Sequence, residues 1–249
     1  KNVGLFDLSA FAKFEVKGKS AHQDLQRLCC NYIKNDPGKT TYTQMLNSKG
    51  GIVADLTVTC INEKCFRIVT GSSVREHDKK HIKENLSEYT TITDITDDLA
   101  CLGIFGPKSR ELLTDIFGEH FLPNDFIFGT AKEIKWNDKK LIFQRLSFVG
   151  ELGWEIYIPI SISREIYLKL VECGKKYDLV HAGGHALDIM RMEKGYLHWG
   201  HDISPAENPY EAGLEFTVKI DKKIDFIGKE ALKTKNIKKK KQLTNFILD

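Results

Sequence analysis

The sequence predicts an α+β fold made of two related halves. Short segments in which apolar and polar residues alternate predict strands, and longer segments with helical periodicity separate them. One strand–glycine–helix pattern also occurs twice along the chain. The chain has 249 residues, of which 41% are hydrophobic and 29% are charged, so it can bury the core of one or two domains.

Four strands and two helices are predicted in the first half. The strands are expected at residues 11–16, 42–46, 52–61 and 66–70. The helices are expected at residues 20–33 and 73–86. Ser20 followed by Gln23 resembles a capping box, which predicts the start of the first helix. This helix would include Cys29 and Cys30.

The second half repeats this order in outline. Residues 14–20 and 102–109 both give a strand, a glycine and a Lys-Ser pair, followed by an amphipathic helix. Further strands are expected at 141–146 and 152–158, and further helices at 163–176 and 185–194. The repeated match is short, and a chance coincidence is the alternative. A true repeat would mean that the two halves have related folds.

The strand predicted at 52–61 carries a carboxylate. Successive side chains point to opposite faces of a strand, so Asp55 and Thr57 share one face with Val53 and Thr59. The other face is apolar and consists of Ile52, Ala54, Leu56 and Val58. Gly50 and Gly51 precede this strand. The alternative interpretation is an exposed polar face without a function.

A second strand, at 152–158, repeats the pairing of an acid with a hydrogen-bonding neighbour. Glu155 and Tyr157 share one face with Gly153, which leaves room for a flat ligand. Asp55 and Glu155 can therefore line one cavity. Two unrelated solvent-exposed faces are the alternative, which periodicity does not exclude.

Composition excludes several classes of protein. No apolar run approaches the ~20 residues that span a bilayer, and no signal peptide opens the chain, so no membrane association is expected. The six cysteines include no C-x-x-C pair, which favours the cytoplasm or another reducing compartment such as the mitochondrial matrix. The chain starts at Lys1 without an initiator Met, so we expect it to be part of a longer protein.

The net charge of +3 conceals a basic segment. Residues 219–241 contain ten Lys and three acidic residues and end in the run Lys238–Lys241. Such runs can bind nucleic acid or anionic lipid. No aromatic residue interleaves with this run, so a solvated linker at a domain boundary is favoured and no nucleic-acid partner is expected.

Two further motifs predict no cofactor site. His198 and His201 lie close together in sequence but lack a third placed ligand, so no metal is expected. Residues 103–107 do not have the spacing of a dinucleotide fingerprint. FAD or NAD would therefore bind outside this chain.

Five stretches of sequence together resemble one protein family. They are GLFDLS at 4–9, YTQMLN at 42–47, GGIVADL at 50–56, GELGWEI at 150–156 and RMEKGY at 191–196. In this order they are similar to the aminomethyltransferase family, to which the glycine cleavage T-protein belongs, from about Val3 to Leu232. Residues 152–155 and 193–199 are more similar to the folate-binding half of dimethylglycine and sarcosine dehydrogenases and oxidases.

The resemblance implies compact pieces around an opening that takes tetrahydrofolate. Two α/β-sandwich halves around this folate pocket would be residues 1–97 and 98–218. Residues 219–249 would be the basic linker and the start of a C-terminal β-barrel domain. The family's N-terminal extension would precede Lys1, and the rest of the barrel would follow Asp249.

The resemblance also assigns roles to individual residues. Asp55 matches the catalytic acid, which acts beside the folate nitrogen that takes part in transfer. Glu155 matches the acid that binds the pterin. Other positions of the cofactor pocket match Tyr42, Thr57, Gly71 and Tyr157.

Three functions are compatible with these residues. The first is tetrahydrofolate-dependent one-carbon transfer from a methylated amine such as sarcosine or dimethylglycine, with FAD only on a flavin domain fused to or associated with this chain. The second is a free-standing aminomethyltransferase of glycine cleavage, which needs a lipoyl carrier protein and an aminomethyl donor. The third is a non-catalytic folate-binding or regulatory module. Leu187, four residues before Arg191, replaces an Arg that contacts folate in the aminomethyltransferases proper, which favours the first function.

Overall fold

The computed structural model of the chain describes residues 2–234, 241–244 and 246. The chain divides into two compact units. Residues 12–94 and 197–249 form the first, which we call the Asp55 unit. Residues 1–11 and 95–196 form the second, the Glu155 unit. Each unit is therefore assembled from two separate segments of the chain.

The described residues form eleven strands and six α-helices. The strands are β1 Val3–Asp7, β2 Ala12–Gly18, β3 Thr40–Leu46, β4 Ile52–Asn62, β5 Cys65–Thr70, β6 Thr90–Asp94, β7 Leu99–Phe105, β8 Ala131–Trp136, β9 Lys139–Gln144, β10 Gly153–Pro159 and β11 Leu179–Ala182. The helices are α1 Ala21–Leu28, α2 Arg75–Glu84, α3 Ser109–Phe117, α4 Ile160–Gly174, α5 Gly184–Glu193 and α6 Lys229–Lys233. This mixture of elements confirms the predicted α+β class.

One sheet forms the centre of each unit. In the Asp55 unit the strand order is β3-β4-β5-β2-β6, and all neighbours are antiparallel. In the Glu155 unit the order is β11-β1-β7-β10-β9-β8, and only β1 and β11 pair in parallel. Antiparallel sheets of this kind can cover one face with helices and keep polar side chains on the other.

The two sheets share a topology. In the Asp55 unit, β2 and α1 precede the ladder β3-β4-β5, and β5 then pairs with β2. In the Glu155 unit, β7 and α3 precede the ladder β8-β9-β10, and β10 pairs with β7. Helices α2 and α4 then lead to β6 and β11, and β1 is inserted between β7 and β11. The short sequence repeat thus coincides with a repeat of the fold.

Glycine is required at the same point of both repeats. Gly18 has φ +151° and Gly106 has φ +131°, which side chains with a Cβ rarely adopt. A Cβ would also lie 2.0 Å from Tyr89 O at Gly18 and 2.5 Å from Asn2 O at Gly106. The backbone therefore turns from strand towards helix in a space that no other residue fits.

Helices cover one face of the sheet in the Asp55 unit. Leu25 and Leu28 of α1 and Ile82 of α2 pack in one core with the inward side chains of β4. These strand residues are Ala54, Leu56 and Val58, as the alternation predicts. Asp55 and Thr57 consequently point to the opposite face of β4.

The core of the Glu155 unit follows the same rule. Trp154, Ile156 and Ile158 of β10 are buried with residues of α3 and α4. Leu112 on α3 and Leu170 on α4 are two of these helical partners. The predicted division of β10 is confirmed, because Glu155 and Tyr157 alternate with the core residues.

The first helix is shorter than predicted. It ends at Leu28, and Cys29 forms an isolated bridge with Met45. The amide of Cys30 donates to the Gln44 carbonyl at 2.9 Å. Ser20 makes no side-chain capping bond, so the predicted capping box is wrong. Because Cys29 and Cys30 pair with residues of β3, the helix does not continue through them, and both cysteines lie beyond α1.

Four strands fall outside the predicted segments. They are β1, β6, β8 and β11. The β6 and β8 strands are rich in polar residues, and β11 has only four residues. Each gains its strand conformation from its ladder partner, which local periodicity does not report.

The predicted division into 1–97, 98–218 and 219–249 stays a prediction, as does the start of a barrel. Beyond residue 196, the described part of the chain contains a 3-10 turn at Glu215–Thr217 and helix α6. Most of the basic run, Lys238–Lys240, lies outside the described residues. None of the helices in the described residues is long and apolar enough to cross a membrane.

The loop before β4 provides a test of this packing. A Cβ on Gly51 would lie 2.0 Å from the carbonyl oxygen of Pro205, whereas a Cβ on Gly71 would lie 3.5 Å from the Val74 side chain. We expect Gly51→Ala to lower the free energy of unfolding by about 1–3 kcal/mol through overpacking. Gly71→Ala, the matched control, should change it by less than about 0.5 kcal/mol. Urea denaturation of both variants measures this, and equal effects would contradict the close approach at Gly51.

Candidate functional site

Asp55 lies on the polar face of β4, half-buried, beside strand β3. Gln44 is its direct neighbour on β3, and Gln44 Nε2 donates to Asp55 Oδ1 at 2.7 Å. Tyr42 also hydrogen-bonds the carboxyl group. Two uncharged donors on one strand therefore orient the carboxylate on the next.

The pKa of Asp55 is raised to about 6, mainly because burial disfavours the charged form. The hydrogen bonds from Gln44 and Tyr42 lower this pKa, and the nearby charge of Asp78 raises it. The carboxyl group thus titrates close to neutral pH. Such a group can both accept and release a proton under physiological conditions.

Tyr42 and Thr57 lie in the same patch as Asp55. They are directly opposite each other on β3 and β4. Burial raises the pKa of Tyr42 well above its usual value, and the Asp55 charge raises it further. Tyr42 therefore stays a hydrogen-bond donor at neutral pH.

Gly71 follows the end of β5, next to this patch. Thr57 pairs with Val69, and Gly71 lies two residues beyond that pair, after β5 has ended. Its φ is −60°, and a Cβ would be in ordinary contact with Val74. The local backbone does not require glycine here, so a role for the small residue stays a prediction.

Asp78 is a second buried carboxyl group in this unit, which the sequence did not reveal. On α2 it accepts from Thr70 Oγ1 at 2.6 Å, and it lies 2.8 Å from His77 Nδ1. Burial raises its pKa, and both hydrogen bonds lower it. Its location on a predicted polar helix gave no sign of burial. Because α2 packs against the sheet next to its edge strand β6, the Asp78 carboxyl group comes close enough to raise the Asp55 pKa.

Glu155 and Tyr157 form a buried pair on β10. Glu155 is 4% exposed and Tyr157 is 1% exposed. Tyr157 Oη donates to Glu155 Oε2 at 2.6 Å. Glu155 lies between Gly103 on β7 and Gln144 on β9. The predicted pairing of an acid with a hydrogen-bonding neighbour is present, and it is protected from water.

Gly153 does not leave space for a ligand. A Cβ there would lie 2.2 Å from the carbonyl oxygen of Ile104 and 2.5 Å from the ring of Phe105. The Phe105 side chain therefore occupies the volume that the glycine leaves open. The predicted room for a flat ligand at this position is wrong, because close packing within the sheet uses it.

A cavity of about 270 Å³ lies beside the start of β10 in the Glu155 unit. Its polar lining includes Arg145, Ser147, Glu151 and Tyr196. Ser147 Oγ is shielded from solvent and makes no hydrogen bond within the described part of the chain. Glu155 is not among the lining residues. The cavity therefore adjoins the strand that carries the buried acid without including the acid.

Arg191 on α5 is buried and bonds to neighbouring residues of the same segment. It is 2% exposed, and Arg191 Nε donates to Asp188 Oδ1 at 2.8 Å. Arg191 Nη1 donates to the carbonyl oxygen of Tyr196 at 3.0 Å. Leu187, one turn earlier, is partly exposed. The side chain of Arg191 is thus bonded to residues at the end of its own helix.

No group of three His, Cys, Asp or Glu side chains is placed to hold a metal ion in the described part of the chain. His198 and His201 stack on each other at 6.0 Å between ring centres. All six cysteines are free thiols, and Cys60 and Cys101 are among those that are buried.

Comparisons with known proteins agree on one family. The model of the GCVT N-terminal domain matches residues 1–222. The mitochondrial sarcosine dehydrogenase of Mus musculus is 34% identical, over 92% of this chain and 27% of that protein. An aminomethyltransferase of Halothermothrix orenii is also 34% identical, over 92% of this chain and 64% of that protein. This chain therefore spans only 27% of the dehydrogenase's length.

A solved structure supports the fold. The glycine cleavage system aminomethyltransferase T from Bartonella henselae superposes with a TM-score of 0.81 at 26% identity. The match covers 92% of this chain and 62% of that protein. The similarity extends across the elements that carry Asp55 and Glu155, so the resemblance drawn from five short stretches is confirmed over nearly the whole chain.

The raised pKa of Asp55 predicts how stability depends on pH. The folded state holds the Asp55 proton up to about pH 6, whereas the unfolded state releases it near the usual value of 3.8. Stability should therefore fall as pH rises from about 4 to 6. Asp55→Asn removes this decline, which amounts to at most about 3 kcal/mol at about 1.4 kcal/mol per pKa unit. Urea denaturation between pH 4 and 7 measures it, with Asp138→Asn, at an exposed position in the β8–β9 turn, as control. Parallel curves for wild type and Asp55→Asn would contradict the raised pKa.

Proposed function

Because the chain belongs to the family of the GCVT N-terminal domain, we propose that it is a tetrahydrofolate-dependent one-carbon transfer domain. It would accept an aminomethyl or methylene unit that originates from a methylated glycine such as sarcosine or dimethylglycine. The observation that carries the proposal is Asp55, an oriented carboxyl group with a pKa of about 6 on the polar face of its sheet. If the polar face of this sheet had no function, it would not need an oriented carboxyl group whose pKa lies close to neutral pH.

Glu155 and Tyr157 have the chemistry to bind a reduced pterin. A pterin presents a ring N–H next to an amino group, and a carboxylate can accept from both. Tyr157 holds Glu155 Oε2, which fixes the plane of the carboxylate. Burial of the pair excludes water and strengthens hydrogen bonds made there. Glu155 would therefore recognise the ligand, and Tyr157 would orient Glu155.

Asp55 would supply acid–base chemistry. A bound reduced folate contributes nitrogen atoms that carry the one-carbon unit. As a carboxylate, Asp55 takes a proton and stabilises nearby positive charge. Gln44 holds Oδ1, and Tyr42 remains protonated, so neither neighbour competes for that proton. Thr57 and Gly71 would border the same space.

The proposed donor is a methylated amine. The similarity to a sarcosine dehydrogenase supports this choice, and so does Leu187 in place of the arginine of the aminomethyltransferases proper. FAD would be needed only on a flavin domain fused to or associated with the chain. Six free thiols favour a reducing compartment, either the cytoplasm or the mitochondrial matrix.

A free-standing glycine cleavage aminomethyltransferase is the second candidate. The similarity to the aminomethyltransferase from Bartonella henselae supports it. Its substrate would be an aminomethyl group on a lipoyl carrier protein. Assays with both donors separate the two candidates: formaldehyde or an iminium donor for the first, and an aminomethyl-lipoyl protein for the second.

Glu155→Gln should weaken binding of tetrahydrofolate about ten- to hundredfold. The amide keeps the shape of the side chain, but it loses a charge-assisted hydrogen bond and presents a donor to the pterin donors, which costs about 1.5–3 kcal/mol. Calorimetric titration of the purified chain measures the affinity. Glu172→Gln, at an exposed position on α4, is the control. Unchanged affinity in Glu155→Gln would remove Glu155 from the binding site, and no binding by wild type at millimolar ligand would end the folate proposal.

Asp55→Asn should lower transfer activity about 10²- to 10⁴-fold while folate binding changes much less, because an amide cannot take the proton. The assay is formation of methylene-tetrahydrofolate from tetrahydrofolate and an iminium donor or formaldehyde, with the spontaneous condensation subtracted. The wild-type rate should rise with pH through about 6 as Asp55 ionises. Normal binding with a wild-type rate in Asp55→Asn would mean that Asp55 is not the catalytic acid. An incidental polar strand face or the non-catalytic binding module would then be favoured.

A further inference from the structure

One short turn contacts both hydrogen-bond donors of Asp55. This 3-10 turn, Glu215–Thr217, lies far from Asp55 in sequence but in the same unit. Thr217 Oγ1 is 2.5 Å from Gln44 Oε1. The Phe216 ring stacks on the Tyr42 ring with 6.4 Å between centres. The turn therefore supports the carboxyl group through two separate neighbours.

Thr217 fixes the direction of the Gln44 amide. Gln44 and Thr217 are both fully buried. With Nε2 directed at Asp55, Gln44 Oε1 faces the Thr217 hydroxyl and, at 3.7 Å, the Cys30 thiol. A flipped amide would direct an oxygen at a carboxylate, which repels it. The Thr217 proton also has an alternative acceptor, the Leu214 carbonyl at 2.7 Å, so this single proton determines how firmly the amide is held.

The turn is followed by residues that anchor it to the end of α1 and to the chain segment after it. The Lys219 amide donates to the carbonyl oxygen of Cys30 at 3.0 Å. The Lys222 side chain, which is buried, donates to the carbonyl oxygens of Gln26, Cys29 and Asn31 at 2.6, 2.9 and 2.8 Å. These bonds connect residues 217–222 to the chain segment that leads into β3. The position of Thr217 relative to Gln44 is therefore built into the fold.

We propose that the Glu215–Thr217 turn is a positioning element that holds Asp55 in its reactive orientation, through Thr217 on Gln44 and Phe216 on Tyr42. Thr217 and Gln44 are positioning residues in this proposal, and Asp55 is the group that reacts. The inference rests on the proposed function only for its effect on transfer. The effect on the carboxyl group itself does not depend on folate.

The charged groups around Asp55 define what a titration can report. Tyr42 on β3 and Asp78 on α2 act on the Asp55 pKa. Lys13 on β2 is buried on the same face, because it lies opposite Val69, which lies opposite Thr57. Arg67 on β5 forms an ion pair with Glu15. Glu215 in the turn is exposed. Because Gln44 stabilises the charged form of Asp55, a loosened Gln44 should raise the Asp55 pKa.

The test compares Thr217→Val with Thr217→Ser. Valine keeps the shape of threonine without the hydroxyl, and serine keeps the hydroxyl. We expect Thr217→Val to move both the Asp55 pKa and the rising limb of the pH–rate profile upwards by about 0.5–1 pH unit, because a bond to a charged group is weakened. Thr217→Ser should restore the wild-type values, and kcat should fall more than KM rises. Thr234→Val, at an exposed threonine, is the control.

Carbon-13 NMR of the labelled carboxyl groups, assigned with Asp55→Asn, measures the Asp55 pKa without folate. An unchanged Asp55 pKa in folded Thr217→Val would overturn the inference. If Thr217→Val does not fold, Phe216→Ala decides, because Phe216 is 62% exposed and its loss should raise the same pKa through Tyr42. A shifted pKa together with full activity in Asp55→Asn would keep the positioning element and reject the proposed function. If Asp55→Asn loses activity while the Asp55 pKa is unchanged in Thr217→Val and Phe216→Ala, the proposed function stands and the positioning element is rejected.

Discussion

The hydrogen bond from Gln44 to Asp55 is the interaction on which the rest of the Asp55 unit depends. Burial removes hydration from the Asp55 carboxyl group and raises its pKa, and the hydrogen bond from Gln44 lowers that pKa. Gln44 reaches Asp55 because β3 and β4 pair in a register that sets the two residues opposite each other. That register is fixed in turn by the apolar residues of β4, since a slip by one residue would turn Asp55 into the core. Packing of α1 and α2 on the sheet thus determines the protonation of a group on its other face.

The two halves repeat a topology but do not repeat a site. Alignment of the two repeats at Gly18 and Gly106 sets Glu15 against Gly103 and Arg67 against Glu155. The position occupied by Glu155 in one half is therefore occupied by the basic residue Arg67 in the other. Asp55 lies on β4, the strand next to the one that carries Arg67. Each sheet buries apolar residues against its helices and keeps the polar face for other purposes. The two sheets thus provide two such faces, and each carries its acid on a different strand of the repeat.

Sequence was most informative where one strand satisfies a period-two pattern by itself. It predicted β4 and β10, the faces of Asp55 and Glu155, and the relation to the aminomethyltransferase family. Edge strands such as β6 and β8 were missed because their partners, not their own residues, stabilise them. Gly153 was misread because the sequence does not say that Phe105 would fill the space beside it. Gln44 shares a face with Tyr42 two residues earlier, a signal that was available. Thr217 and Asp78 gave none, since only the tertiary fold brings Thr217 to Gln44 and Asp78 close enough to act on the Asp55 pKa.

The buried Lys222 explains why the Asp55 unit needs residues beyond 196. An α-helix leaves its last carbonyl groups without partners inside the helix, and at the end of α1 the Cys29 amide donates back to the Leu25 carbonyl. Lys222 supplies three donors to carbonyl groups around this end, and burial lowers its pKa to about 8. As the ammonium group it completes the end of α1, and the same segment positions Thr217 against Gln44. The end of the first helix, the start of β3 and the orientation of Asp55 are therefore set by one segment. In this unit, a lysine within the most basic part of the sequence acts from inside the core and not from solvent.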